Sequence, residues 1–307
     1  MYKTIIRYSV ASIFLMSFYM GWSQQEPQYT QYMYNTMVIN PAYVGTSGEL
    51  NITGTYRSQW TGIDGSPETI NLGVEAPLTD AMGLGVNLTR DALGPSNEYF
   101  LDGNFSYAIQ LRRDVKLSFG IKGGLRVLNV DFNRGQFENQ DDPLLMNDIS
   151  NRYLGTIGAG AYMYSSKWYL GLSTPNFLSQ QYYKDVAQSV RADEMNLYLI
   201  GGYVFDLSTD VKLKPAFLFD YVDGTPLNAN LSANVLLYEK LSLGASWRID
   251  AAVSALAGFQ LLENLFVGYA YDYNTTDFRN FNDGSHEIVL KFSIFNTRGT
   301  TFSPRFF

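Results

Sequence analysis

Residues 116–127 read KLSFGIKGGLRV, and their alternation decides the fold. Leu117, Phe119, Ile121, Leu125 and Val127 take one set of positions, while Lys116, Ser118, Lys122 and Arg126 take the other. Neighbouring side chains of a strand point to opposite faces, so this period predicts an extended segment with one apolar and one charged wall. A soluble sandwich would have to leave one of these walls wet. A membrane barrel instead gives the apolar wall to lipid and the charged wall to a polar lumen.

The same period runs outward in both directions. Leu50, Ile52, Gly54 and Tyr56 alternate with Asn51, Thr53, Thr55 and Arg57, and Ile70, Leu72, Val74 and Ala76 follow the turn-rich TGIDGSPE. Further segments begin near Leu84, Tyr99, Tyr153, Trp168, Met195, Val211, Leu227, Leu241, Ala251, Leu265 and His286. The total is about fourteen strands of membrane-spanning length, an even number that lets a chain close on itself. The expected fold is all-β, a transmembrane antiparallel β-barrel of about 14 strands with an N-terminal luminal or periplasmic plug segment.

The connections test this independently. Those after the even-numbered strands are short: PLTD, RRD, SSK, LSTD, YEK and LLEN. Those after strands three, five, seven and thirteen include the long ones, at residues 133–152, 175–194 and 274–285. Short turns at one rim and long loops at the other are the outer-membrane pattern, with the short rim periplasmic and the long loops extracellular. Tyr56, Trp60, Tyr107, Trp168, Trp247, Tyr269, Tyr271 and Tyr273 fall near strand ends, where aromatic girdles are expected. The terminal Phe307 adds weaker support, because it is displaced from the last strand.

Composition agrees and removes several functions. There are 23 Tyr, 20 Phe and 27 Gly against 17% charged residues, a balance that favours strands over long surface helices. A net charge of -7 argues against nucleic acid, whose binding needs a basic face. With no Cys and one His, zinc sites and Cys/His nucleophiles are excluded, and no cofactor is implied. Ser285 and His286 adjoin, but neighbours on a strand face opposite ways, which disfavours a lipase pair. The acidic stretch with Glu138, Asp141, Asp142 and Asp148 lacks EF-hand order and reads as solvated loop. Its centre carries Leu144, Leu145 and Met146, an apolar patch that suits an extracellular protein contact. No enzymatic activity is expected.

Residues 1–23 read as a signal peptide, with Lys3 and Arg7 before an apolar core and with Gly21 and Ser23 at cleavage-compatible spacing. Residues 24–48 form a plug or docking segment, and 49–307 form the barrel. The segment carries Tyr29, Tyr32, Tyr34, Asn35, Asn40, Pro41 and Tyr43. Residues 28–37 read as a short helix or coil in the periplasmic mouth, and Asn40-Pro41 as the corner into the first strand. Strand parity puts Arg57, Arg248, Asp272 and Glu287 on the inward face near the long-loop rim. Charges kept from lipid pair or line water, so a luminal salt-bridge network is expected there.

The stretches QYTQYMYNTMVINPAYVGT, YLGLSTPNFL and LYLIGGYVFDLSTDVKLKPAFLFDYVDGTPLNANLSANVLL, with YAYDYNTTDFRNFNDGSHEIVL, resemble the PorP/SprF family over nearly the whole mature chain. The resemblance implies a Bacteroidetes outer-membrane barrel of the type IX secretion system that helps secrete or anchor a surface protein, for example a gliding-motility adhesin. Implied partners are the secreted cargo, periplasmic type IX components and outer-membrane lipid. The family's Asn-Pro-Ala falls on Asn40, Pro41 and Ala42, its Tyr-Asp-Tyr on Tyr271, Asp272 and Tyr273, and its Gly-Ser-His-Glu on Gly284 to Glu287. The competing expectation is an outer-membrane channel for small hydrophobic molecules, resembling the long-chain fatty-acid transporters. The mostly polar inward positions disfavour a continuous apolar tunnel.

Overall fold

Alternating sequences of this length satisfy their backbone groups in lipid only if the sheet closes, because an open edge would leave a row of unpaired amides. The computed structural model describes residues 27–132, 148–178, 195–222 and 225–294. The signal-peptide segment, Leu144, Leu145, Met146 and Phe307 lie outside the described residues.

The strands are β1 (Leu50–Ser58), β2 (Glu68–Pro77), β3 (Met82–Leu93), β4 (Ser96–Arg112), β5 (Val115–Val130), β6 (Ile149–Tyr164) and β7 (Trp168–Thr174). They continue with β8 (Asn196–Tyr203), the two-residue β9 (Phe205–Asp206), β10 (Val211–Val222), β11 (Asn228–Leu237) and β12 (Leu241–Arg248). The last three are β13 (Ala252–Leu262), β14 (Leu265–Asn274) and β15 (Ser285–Ile294). Every pairing is antiparallel, β1 pairs with β15, and β10 pairs with β11, so fourteen strands close a ring. β9 continues β8 along the same partner, β10. The gap in this ladder, at Tyr203 and Val204, lies opposite Pro215 and Lys214, and Pro215 has no N–H to contribute.

The barrel is inside-out relative to a soluble protein. Asn51, Asn71, Asn87 and Asn104 are fully buried, whereas Leu72, Leu84, Ile121 and Leu290 are exposed on the outer wall. The outer band includes Tyr56, Tyr107, Trp247, Tyr269 and Tyr273. In β5, Ser118, Lys122 and Arg126 are buried inward, and Phe119, Ile121 and Leu125 face out. Lys122 meets Asp102 on β4 at 3.3 Å, which keeps both charges away from lipid.

Six connections are short and share one end: residues 78–81, 113–114, 165–167, 207–210, 238–240 and 263–264. The other end carries 59–67, 131–148, 175–195 and 275–284. One expectation needs correcting there. The link after β3 is only Gly94 and Pro95, with Gly94 at φ 54, so a tight turn replaces the expected long loop. β4, β5 and β6 have 17, 16 and 16 residues, well beyond the roughly 9–11 needed to span, and project at the long-loop end. Leu128, Val130, Phe132, Ile149 and Leu154 form a small core on that projection.

Candidate functional site

The lumen holds the chain's own N-terminal segment. Tyr29, Tyr32, Met37, Ile39, Ala42, Tyr43 and Val44 form a buried cluster with Tyr162, Tyr164, Tyr169, Tyr198 and Ile200 of the inner wall. The segment is built of 3-10 turns at Tyr32–Tyr34, Thr36–Val38 and Pro41–Tyr43. In place of the short helix or coil expected over residues 28–37 there are two separate 3-10 turns, the second ending at Val38. Neither has a side-chain cap, and three residues are too few to propagate an α-helix. Asn40 does cap its turn, accepting from the Ala42 N–H at 2.9 Å while its own amide donates to the Ala161 carbonyl at 3.1 Å. Asn40-Pro41 thus starts a turn inside the lumen, and the corner into β1 comes later, at Gly45 (φ 73) and Gly48 (φ 75).

The segment is also not confined to one mouth of the barrel. Gln28 accepts from Arg248 Nη1 at 2.9 Å, at the long-loop end of β12. Asn35 donates to Asn71 halfway along β2. The Val44 carbonyl accepts from Ser106 of β4, and the Gly45 N–H donates to Glu75, next to the short turns where β1 begins. The chain therefore runs the length of the lumen from the long-loop end to the short-turn end. Period-two reasoning orders strands but contains nothing about a segment that has no strand neighbour.

Bare backbone on the wall makes room for it. A Cβ on Gly120 would collide with the Ala42 backbone, and one on Gly83 with the Val44 carbonyl. These inward glycines give the polypeptide its closest approaches to the sheet.

A charge cluster closes over the first turn of the segment. Arg57 Nη2 meets Asp272 at 2.7 Å and Nη1 meets Glu287 at 3.2 Å, with all three side chains almost fully buried. Arg57 also donates to Thr30 Oγ1 at 2.8 Å, and that hydroxyl donates on to Asp272. Glu287 accepts from the backbone N–H of Thr30 at 2.8 Å and of Gln31 at 2.7 Å. Strand pairing explains the assembly: Arg57 lies opposite Glu287, and Asp272 pairs with Ser285 two residues earlier on β15. Arg248 joins through Gln28 and makes no ion pair among the described residues.

The remaining segment residues are all inward. Tyr34 packs on Phe266 with ring centroids 4.7 Å apart, and Tyr43 meets Tyr162 edge-on at 5.6 Å. Tyr32 lies 3.4 Å from Ser232 Oγ, and burial pushes its phenol up to about 12, so it remains neutral. Pro41 is buried with them. While the segment stays in place, none of these side chains offers a surface to a partner. Thr30, Gln31 and Gln28 escaped sequence reasoning, since only their seating beneath the charged wall makes them informative.

Ser285 and His286 do not meet. The Ser285 hydroxyl accepts from the Trp60 N–H on the inner side, while His286 Nδ1 lies 2.7 Å from the Tyr269 hydroxyl on the outer face.

Residues 22–292 match the family described as Type IX secretion system membrane protein PorP/SprF. The chain belongs to the PorP/SprF family. Among solved structures, this PorP/SprF chain is similar to the Ralstonia pickettii toluene transporter TbuX, with TM-score 0.50, 10% identity, and coverage of 85% of this chain and 93% of that one. It is also similar to the Acinetobacter baumannii outer membrane protein Omp33, with TM-score 0.49, 8% identity, and coverage of 81% and 100%. The CymD monoaromatic hydrocarbon channel gives TM-score 0.49, 12% identity, and coverage of 85% and 91%. At these identities the likeness is one of fold. No curated protein matches the chain. PorP/SprF membership together with the closed barrel makes this an outer-membrane β-barrel of a type IX secretion family.

Proposed function

We propose that this barrel does no chemistry and helps to secrete or anchor a particular surface protein, such as an adhesin, through the type IX system. In this reading residues 24–48 are the plug of the barrel, the long-loop end faces the secreted partner outside the cell, and the short turns face periplasmic components. The observation that carries the reading is the filled lumen: residues 28–47 thread it and are pinned by Arg57, Asp272 and Glu287. Such a lumen suits a partner-binding barrel better than an open diffusion pore. The opposed faces of Ser285 and His286 support a non-enzymatic role.

Gentle solubilisation of the tagged protein from its native outer membrane is the direct test. A large exported protein is expected to co-purify. Retention of a small lipid-like ligand with no exported protein would overturn this reading in favour of a channel for small hydrophobic molecules.

A further inference from the structure

Arg248 closes β12 at the long-loop end and is only 8% exposed. A guanidinium has five N–H donors, and this one spends one of them on Gln28 Oε1. Asp272 and Glu287 aim their oxygens at Arg57, Thr30 and Gln31 instead. A buried cation with donors left over is costly unless an anion or water meets it. Beside it lies a small cavity of about 50 Å³ that opens to solvent. Its lining combines Arg248 and Asn230 with Tyr29, Tyr198 and Leu218. The Asn230 carbonyl oxygen is taken by the Ser246 hydroxyl, which leaves its amide N–H₂ as donor.

We propose that this cavity binds a small free carboxylic acid of about the size of acetate, as its monoanion, with a short apolar body. The carboxylate accepts from Arg248 and the Asn230 amide, a charge-assisted arrangement stronger than a neutral one. The body lies against Tyr29, Tyr198 and Leu218, the apolar wall that small-molecule sites commonly supply. Asp220 lines the same cavity from β10, two strands from β12 in the sheet order. A second negative charge on the ligand would face it, so the ligand carries one. This inference is independent of the secretion role.

The test uses fluorine NMR of fluoroacetate with the full-length barrel in detergent, and fluoroacetamide as the probe of the same shape without charge. The acid is expected to bind saturably and the amide about tenfold more weakly or worse, the loss of a charge-assisted hydrogen bond. Arg248→Gln should weaken the acid by a similar factor. Asn230 lies directly opposite Arg248 in the ladder, so Asn230→Asp supplies an internal carboxylate to the guanidinium. That variant keeps the barrel folded, seen as heat-modifiable gel migration, and loses the acid even if Arg248→Gln fails to fold. Equal binding of acid and amide, undiminished binding to Asn230→Asp, or no binding to the unaltered barrel at about 10 mM acid each overturns the proposal.

Discussion

Arg57→Met removes a guanidinium from a site where both carboxylates stay behind. Methionine keeps an unbranched apolar stem, so the change isolates charge and hydrogen bonding from packing. Asp272 loses its 2.7 Å partner and retains the Thr30 hydroxyl, while Glu287 loses a 3.2 Å partner and retains two backbone N–H donors. Breaking a buried pair by deleting one member costs about 3–5 kcal/mol, and the retained donors place this case toward the lower bound. The assay is guanidinium-chloride unfolding of the barrel refolded into lipid vesicles, followed by the fluorescence of Trp60, Trp168 and Trp247. Asp272→Asn in the Arg57→Met background should recover part of the loss, because coupled neighbours show interaction energies of about 0.5–3 kcal/mol. A loss below about 1 kcal/mol for Arg57→Met, or strict additivity of the two changes, would refute the description of these groups as one coupled unit.

Gly120→Leu drives a side chain into the Ala42 backbone and should displace the segment while the barrel still inserts; a rise in single-channel conductance in planar bilayers is the expected sign, and an unchanged trace counts against the threading. Asn40→Ala removes the cap and the bond to Ala161, and should cost about 1–2 kcal/mol in the same unfolding assay. Deleting residues 24–38 should leave a membrane-inserted barrel that no longer recovers its exported partner on co-purification, whereas failure to insert would make the segment scaffold. Ser285→Ala and His286→Ala should each leave co-purification unchanged, and loss of the partner with His286→Ala alone would mark the outer face of β15 as a contact surface.

The barrel was legible because the rule that makes it is local. Residues 116–127 carry the period of two without help from any distant contact, and strand starts read at Trp168, Val211, Leu241 and Leu265 coincide with those of β7, β10, β12 and β14. The inward grouping of Arg57 with Glu287 followed from closure, which makes the first and last strands neighbours. What could not be read was anything depending on how the lumen is filled. The tight Gly94-Pro95 turn breaks the loop-length rule because β3 and β4 simply continue past the membrane as a hairpin. The part played by Thr30 depends on two backbone amides meeting Glu287, and no side-chain pattern encodes a backbone donor.

The path of the segment decides which end of the barrel controls it. At the short-turn end it is continuous with β1 through Gly45 and Gly48, both in the left-handed region, so that end is a covalent hinge. At the long-loop end it is held by hydrogen bonds to Arg57, Arg248, Asp272 and Glu287, of which Asp272 and Glu287 are ion-paired with Arg57. A hinge cannot let go, whereas a buried cluster can be dismantled by a competitor that satisfies the same donors and acceptors. Were the segment to be released, release would therefore begin at the long-loop end, where a competitor has leverage that one at the short turns lacks. An agent confined to the short-turn side can shift the segment only by moving residues 45–49, with the charge cluster still closed above them. Small residues where the thread crosses the wall, at Gly83 and Gly120, let it pass close to the sheet without interlocking side chains. Of the two ends of the thread, the short-turn one is covalent and the charged one is reversible, with the Asn35 and Asn40 bonds and the tyrosine cluster holding the stretch between them.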